Sequence, residues 1–170
     1  MNIFVIEDEP PILREIIAII NSFHEDYKVI GTAQNGQQAI SFLEENGNQI
    51  DIMITDIQIP IKNGLELISY TNKHFPHISS MILTGYGSFD YARSAIQKGV
   101  FCYLLKPIDE EELHIELQKV YAQKCVDYMR KQPLIKKEDC EWDSGCQLAL
   151  ISLGFYPIDT ISSSDTFSAI

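Results

Sequence analysis

The stretch that decides the fold lies at residues 50–60 and reads Ile50-Asp51-Ile52-Met53-Ile54-Thr55-Asp56-Ile57-Gln58-Ile59-Pro60. Its first part is a nearly unbroken apolar run, which is typical of a strand buried on both faces in a parallel sheet. Asp56 stands where this strand ends. Because open α/β sheets bind their ligands at the carboxyl ends of the strands, we expect the Asp56 carboxylate to lie in a ligand site.

Strand-like and helix-like segments alternate five times along the first 130 residues. The predicted strands are residues 3–6, 27–33, 50–56, 79–84 and 100–105. The helices between and after them are predicted to start at Pro10, Asn35, Gly64, Ser88 and Asp109. Their start signals are a proline in the first turn and polar capping residues. This strict alternation predicts an α/β fold of the (βα)5 type, a doubly wound parallel five-stranded sheet with helices on both faces.

Composition limits the class of protein. The chain has 170 residues, 45% of them apolar, and a formal net charge of −11. The excess of acids argues against a nucleic-acid-binding face, which needs clustered lysine and arginine. No apolar stretch approaches the ~20 residues that span a bilayer, and no signal-peptide pattern stands at the N-terminus. We therefore expect a soluble, cytoplasmic protein with no membrane partner.

The chain is predicted to hold one domain and an extension. Residues 1–130 account for the five strands and five helices, and residues 131–146 are polar and acidic enough to be a linker. Residues 147–156 read as one further strand, so residues 147–170 are expected to be a fragment or the start of another, truncated domain. The cysteines lack C-x-x-C spacing and a nearby histidine, which predicts reduced, structural thiols. They are Cys102, Cys125, Cys140 and Cys146.

Three acids end neighbouring strands. Glu7 and Asp8 follow the first strand, and Asp56 follows the third. In a right-handed winding these two strands are adjacent, so the three carboxylates are expected to converge and to repel one another. Mg²⁺ is a hard cation that prefers carboxylate, carbonyl and water oxygens, and it would relieve this repulsion. The acids therefore predict a magnesium site.

Two further side chains are expected at the same edge of the sheet. Lys106 ends the fifth strand, just before Pro107, and its cation can pair with a carboxylate or phosphoryl oxygen. Thr84 ends the fourth strand and can donate its hydroxyl to a phosphoryl oxygen. Three acids, a lysine and a threonine at strand ends predict a magnesium-dependent phosphoryl-acceptor site.

Residues 1 to about 125 resemble the receiver domain of a two-component response regulator. This resemblance implies the flavodoxin-like receiver fold with strand order 2-1-3-4-5. The chain departs from the family pattern at Glu7, where the family usually has aspartate. The motifs that carry the resemblance are Val5-Ile6-Glu7-Asp8-Glu9-Pro10, Ile54-Thr55-Asp56-Ile57-Gln58-Ile59-Pro60 followed by Gly64, Leu83-Thr84-Gly85-Tyr86, and Tyr103-Leu104-Leu105-Lys106-Pro107.

The resemblance also implies a role for each site residue. Asp56 would accept a phosphoryl group from a sensor histidine kinase, so the chain would be a signalling protein and not an enzyme. Mg²⁺ or Mn²⁺ would be bound by Asp8, Asp56 and the backbone carbonyl of Gln58, with Glu7 acting through water. Thr84 and Lys106 would contact the phosphoryl group, and Tyr103 would be the switch aromatic.

A looser resemblance concerns the output. Residues 83–92 and 109–113 are similar to receivers that precede AraC-type helix-turn-helix domains. This implies transcriptional control through an effector domain absent from this chain, which alone would contact DNA. A possible partner is a second copy of the chain, in a homodimer through the surface of the fourth helix, fifth strand and fifth helix.

Other classes of protein share some of these features. A haloacid-dehalogenase-like phosphohydrolase also uses a strand-end aspartate and magnesium, but it needs a second aspartate at the position of Gln58. A flavodoxin-like FMN carrier needs a phosphate-binding loop after the first strand, where Glu7, Asp8 and Glu9 would repel a phosphate. A pseudo-receiver that is never phosphorylated is disfavoured by the intact set of acids.

Overall fold

In the computed structural model, residues 1–23, 27–85 and 87–131 are described. Strands and helices alternate through them as predicted, and all strand pairs are parallel in the order β2-β1-β3-β4-β5. The elements are β1 Asn2–Ile6, α1 Pro10–Ser22, β2 Lys28–Ala33, α2 Gly36–Asn46, β3 Ile52–Thr55, α3 Gly64–His74, β4 Ser79–Thr84, α4 Phe89–Gln97, β5 Cys102–Leu105 and α5 Glu110–Lys131, with a 3-10 turn at Gly47–Gln49. The predicted fold and strand order are therefore confirmed.

The chain divides into two compact units, Met1–Val120 and Tyr121–Ile170. The first unit contains the whole sheet. Of the second, only the last part of α5 is described. The predicted linker and the predicted strand at 147–156 lie outside the described residues, apart from Lys131 at the end of α5. No helix in the described part of the chain is both long enough and apolar enough to cross a membrane.

The sheet is buried on both faces, which explains the apolar runs. Ile3 and Val5 of β1 belong to one hydrophobic cluster, and Phe4 and Ile6 belong to the other. Successive side chains of a strand point to opposite faces, so a strand between two layers of helices needs apolar residues at every position. The first cluster includes residues from α1 and α5, and the second includes residues from α2, α3 and α4.

Side-chain caps fix most helix starts. The backbone N–H of Gln38 donates to Asn35 Oδ1 over 2.9 Å, and the N–H of Glu112 donates to Asp109 Oδ1 over 2.9 Å, as the sequence predicts. Ser88 also occupies the N-cap position before α4, but its side chain makes no cap hydrogen bond. Asn63 and Glu66 form a capping box at the start of α3 that was not predicted.

Two predicted features of the region around α4 differ from the structure. β5 begins at Cys102, two residues later than predicted. Helical spacing predicts that Ile96 lies on the apolar face of α4 with Ala95, yet Ile96 is 75% exposed, and Ala95 is the only residue of this helix that is buried. Helical spacing of apolar residues does not tell which of them finds a neighbouring element to pack against. Gly99 follows the end of this helix, with a φ of 69° that favours glycine.

The prediction of reduced thiols can be compared with the structure at Cys102 and Cys125, because Cys140 and Cys146 lie outside the described residues. Cys102 is a free thiol, whereas Cys125 is disulfide-bonded. The prediction of reduced thiols is therefore wrong for Cys125, because pairing depends on proximity in space, which spacing along the sequence does not report. Burial, and then the negative charge of Glu116, raise the pKa of the Cys102 thiol to about 12, so it stays protonated and unreactive near neutral pH.

The parallel ladder continues just beyond the strands and aligns the residues that follow them. The N–H of Glu7 donates to Ala33 O over 3.0 Å, and the N–H of Asp56 donates to Ile6 O over 3.1 Å. The N–H of Lys106 likewise donates to Thr84 O over 2.9 Å. Backbone hydrogen bonds therefore fix the positions from which the Glu7, Asp56 and Lys106 side chains extend.

One core hydroxyl gives a test of this packing. Ser80 in β4 is 3% exposed, and its Oγ has no hydrogen-bond partner among the described residues. Since a buried hydroxyl without a partner keeps only its desolvation cost, we expect Ser80→Ala to raise the free energy of unfolding by about 1 kcal/mol. Urea denaturation measures the change.

Thr55→Val is the matched control, because Thr55 Oγ1 is buried but donates to Asp56 O over 2.9 Å. This variant should lose about 1 kcal/mol of stability. A Ser80→Ala protein that is destabilised as much as Thr55→Val would contradict the assignment of Ser80 as unpaired.

Candidate functional site

One lysine joins two acids at the carboxyl edge of the sheet. Lys106 Nζ lies 2.6 Å from Glu7 Oε2 and 2.7 Å from Asp56 Oδ2. Both distances are those of charge-assisted hydrogen bonds. The Lys106 side chain is 12% exposed, and those of Glu7 and Asp56 are almost completely buried. The three charged groups therefore form one linked ionic cluster at the carboxyl edge of the sheet.

The second oxygen of Asp56 is held from the other side. Thr84 Oγ1 donates to Asp56 Oδ1 over 2.7 Å, and the N–H of Gln58 donates to the same oxygen over 3.2 Å. Thr84 is fully buried. Both carboxylate oxygens of Asp56 consequently accept hydrogen bonds, and the orientation of the carboxylate is fixed.

Glycine is required beside this aspartate. Gly64, the first residue of α3, packs so closely that a Cβ atom there would lie 2.1 Å from the Asp56 carbonyl oxygen. The N–H of Gly64 donates to Ile57 O over 2.9 Å and closes the loop between β3 and α3. Any larger residue would push this loop, and Asp56 with it, away from the cleft.

The remaining predicted residues lie around this cluster. Asp8 directly follows Glu7 and is partly exposed, while the Gln58 side chain is exposed. Tyr103 in β5 is partly buried against the hydrophobic cluster that also contacts Tyr91. The pKa of the Tyr103 phenol is raised, mainly by burial and then by the charge of Asp56 and by Tyr91. The ring therefore lies within the electrostatic field of the aspartate.

The environment changes the ionisation of all three charged groups. Burial opposes the ionised form of Asp56, but hydrogen bonds from Lys106 and Thr84 outweigh it and lower the pKa of this carboxyl. Burial dominates at Glu7 and raises its pKa despite the hydrogen bond from Lys106. The two acids outweigh burial at Lys106 and raise the pKa of its ammonium group. Asp56 is therefore ionised and Lys106 is charged near neutral pH.

The donor chemistry at this edge fits a hard divalent cation. Asp8, Asp56 and the Gln58 carbonyl all offer oxygen ligands of the kind that Mg²⁺ prefers. Within the described residues, however, no three His, Cys, Asp or Glu side chains are grouped closely enough to hold a metal ion as they stand. The repulsion that was expected to require a metal is relieved here by Lys106. The oxygen set is suitable, but Asp56 within it is paired with a protein cation.

Sequence reasoning identified the side chains of the cluster but missed two backbone contributions. The N–H of Glu9 donates to Glu7 Oε1 over 3.3 Å, and the N–H of Gln58 orients Asp56. Gln58 was expected to contribute only its carbonyl. Backbone donors carry no signature in the sequence, although a turn directly after a strand-end acid is a place to look for them.

Known proteins share both the sequence pattern and the fold. The profile of the family "Response regulator receiver domain" matches residues 3–118. A receiver domain protein from Clostridium thermocellum has a crystal structure that is similar with a TM-score of 0.67 and 33% identity. That similarity covers 74% of this chain and 97% of the other.

Curated relatives are regulators of transcription. The uncharacterized transcriptional regulatory protein YesN of Bacillus subtilis is 34% identical over 81% of this chain and 35% of its own length. The transcriptional regulatory protein CitT of Halalkalibacterium halodurans is 31% identical over 72% of this chain and 53% of its own length. The chain thus spans a third to a half of these relatives. The matched profile, the strand order and the arrangement of residues at the strand ends lead to one conclusion, that the chain belongs to the response regulator receiver domain family.

Proposed function

We propose that Asp56 accepts a phosphoryl group from a sensor histidine kinase and that this receiver controls an output by changing its surface. The observation that carries the proposal is the state of Asp56. It is an ionised carboxylate, 7% exposed, with an ammonium group on one oxygen and a hydroxyl on the other. Those two donors are suited to binding phosphoryl oxygens once the group is attached.

The chemistry needs little from the protein beyond position and charge. An Asp56 oxygen attacks phosphorus in line, the P–N bond to the kinase histidine breaks, and the imidazole leaves with that bond's electron pair. Only the ionised carboxylate is a nucleophile, so the hydrogen bonds that lower the pKa of Asp56 keep it reactive at neutral pH. The chain is therefore a substrate of phosphoryl transfer and not a turnover enzyme.

Lys106 and Thr84 then exchange partners. Both donate to Asp56 in the described state, at 2.7 Å in each case. A phosphoryl group on Asp56 brings new oxygens within reach of the same two donors. Mg²⁺ or Mn²⁺, held by Asp8, Asp56 and the Gln58 carbonyl, would supply charge neutralisation to the transferring group.

The output follows from Tyr103 and the surface near it. Thr84 already points to Asp56, so the hydroxyl moves only from the carboxylate to the phosphoryl group. We expect the Tyr103 ring, on the neighbouring strand, to turn inward when that happens, and the equilibrium of the surface formed by α4, β5 and α5 to shift. Exposed apolar side chains on this surface favour a homodimer interface. They are Phe89, which is 78% exposed, Ile96 at 75% and Leu105 at 49%.

The regulated process is transcription. The relatives named above are transcriptional regulatory proteins of about two to three times the matched length. An AraC-type DNA-binding domain beyond the receiver would complete such a protein, and the net charge of −11 agrees with DNA contact lying elsewhere. The proposed location is the cytoplasm, where the kinase domain and the DNA are accessible.

Phosphorylation of Asp56 is tested with a small-molecule donor. Incubation with acetyl phosphate and Mg²⁺ should add one phosphoryl group to the wild-type chain, seen as the corresponding increase in intact mass. Asp56→Asn should not react, because its amide is not a nucleophile, and EDTA should prevent the reaction of the wild type. Equal modification of the variant would refute the assignment. Continuous release of phosphate from many esters would favour the phosphohydrolase.

The ionic cluster predicts how stability depends on pH. Lys106→Ala leaves two buried acids without their cation, so we expect a loss on the order of 3 kcal/mol at about pH 7. Without the ammonium group the pKa of each carboxyl rises, and both acids become neutral in mild acid. At about pH 4.5 the two acids of the variant are neutral and no longer repel each other, whereas wild-type Asp56 stays ionised until the pH falls through its lowered pKa. The difference in unfolding free energy between wild type and variant should therefore be smaller at about pH 4.5 than at about pH 7.

Lys119→Ala is the control for this experiment. Lys119 pairs with Glu116 at 2.6 Å, but its side chain is 48% exposed, so solvent screens the pair. Denaturant unfolding at both pH values should show a change below about 1 kcal/mol for the control. A Lys106→Ala protein as stable as wild type at neutral pH, or one whose loss grows in acid, would contradict the cluster's electrostatics.

A further inference from the structure

Glu7 is the most buried charged group of the site, and each of its oxygens already accepts a hydrogen bond. It is 1% exposed. Lys106 Nζ lies 2.6 Å from Oε2, and the N–H of Glu9 donates to Oε1 over 3.3 Å. The resemblance to the family gave this position a role on the metal through water. The contacts of Glu7 instead point to the lysine.

The contact between Glu7 and Lys106 depends on the length of the glutamate side chain. Glutamate exceeds aspartate by one methylene, which extends its reach by roughly 1.5 Å. The backbone of Glu7 is fixed by its N–H to Ala33 O at 3.0 Å, so a shorter acid could not approach the lysine by a backbone shift. With aspartate the present 2.6 Å contact to Lys106 would open to about 4 Å, which is no longer a hydrogen bond.

The second anchor matters because Lys106 also occupies Asp56. Its Nζ lies 2.7 Å from Asp56 Oδ2, where its positive charge repels a metal ion that approaches the same carboxylate. An ammonium group bound to two carboxylates is harder to displace than one bound to a single carboxylate. Glu7 thus opposes the metal at Asp56 without touching it.

We propose that Glu7 is a positioning residue that anchors Lys106 against Asp56 and thereby sets the affinity of the site for Mg²⁺. The inference rests on the proposed phosphoryl-acceptor function, because it concerns the metal that this function uses. In the metal-free state the lysine holds the aspartate, and metal binding releases it. The family usually has aspartate at this position. With glutamate there, this chain requires a higher Mg²⁺ concentration for phosphorylation than the same chain with aspartate would.

Mg²⁺ affinity in four versions of the 170-residue chain tests the proposal. These are wild type, Glu7→Asp, Lys106→Ala and the double variant, titrated with MgCl₂ by calorimetry. Glu7→Asp keeps the charge and removes the contact, so it should lower the Kd for Mg²⁺ about three- to tenfold. In the Lys106→Ala background the same change should alter the Kd by less than about twofold, because there is no lysine to release.

The ammonium group itself gives a spectroscopic readout. In ¹⁵N-labelled, metal-free wild type the Lys106 Nζ signal should be visible, since two ionic hydrogen bonds slow its proton exchange. It should shift or broaden beyond detection on saturation with Mg²⁺, and it should be lost in metal-free Glu7→Asp. Glu7→Gln keeps the side-chain length without the charge and should weaken the signal too. This second variant keeps the test available if Glu7→Asp fails to fold by circular dichroism.

The outcomes separate this inference from the function on which it rests. A wild-type chain that binds no Mg²⁺ would overturn both. Mg²⁺ binding in which Glu7→Asp changes the Kd equally with and without Lys106 would overturn the positioning role alone, because Glu7 would then act on the metal directly. A Lys106 ammonium signal that is unchanged in both Glu7 variants would also overturn it.

Discussion

A single ammonium group allows two acids to be buried at one edge of this sheet. Lys106 Nζ bridges Glu7 and Asp56 at 2.6 and 2.7 Å, and these acids are 1% and 7% exposed. Buried carboxylates without a cation would become neutral or would push the strand ends apart. With the lysine in place Asp56 remains ionised, which the proposed reaction requires. The chemistry of the site and the stability of this edge therefore depend on the same pair of contacts.

The sheet brings the three groups together by its backbone geometry. Each of them follows the end of a parallel strand, and each backbone N–H continues the ladder to a neighbouring strand. Residues far apart in the chain are thus placed side by side before any side-chain contact forms. Gly64 completes the arrangement, because only the absence of a Cβ lets α3 approach the Asp56 carbonyl. The fold positions the carboxylate, and the side-chain hydrogen bonds then orient it.

The sequence was sufficient for the fold and for the members of the site, for a physical reason. Apolar runs without alternation occur in strands covered on both faces, and polar residues that end such runs must meet at one edge. The partners within the site were less accessible. Lysine at a strand end could pair with an acid or with a phosphoryl group. Whether Glu7 contacts the lysine depends on the difference of about 1.5 Å in reach between glutamate and aspartate.

Other differences have the same origin, since local patterns do not specify neighbours. Ile96 follows helical spacing but has no element to pack against within residues 1–23, 27–85 and 87–131, and Ser88 stands at an N-cap without using its side chain. Thr84 was expected to donate to a phosphoryl oxygen, and in the free chain it donates to Asp56 at 2.7 Å. A hydroxyl inside a cleft takes the nearest acceptor, and only the assembled site shows that this acceptor is Asp56.

We propose that Asp56 is a phosphoryl acceptor whose two present donors transfer to the phosphoryl group. A crystal structure of the 170-residue chain with beryllofluoride and Mg²⁺ tests it most directly, since this adduct imitates a phosphorylated aspartate. We expect beryllium bonded to an Asp56 oxygen, with Lys106 Nζ and Thr84 Oγ1 moved from the carboxylate to fluorine atoms. Beryllofluoride bound elsewhere, or bound at Asp56 while Lys106 still bridges Glu7 and Asp56 as in the free chain, would contradict it.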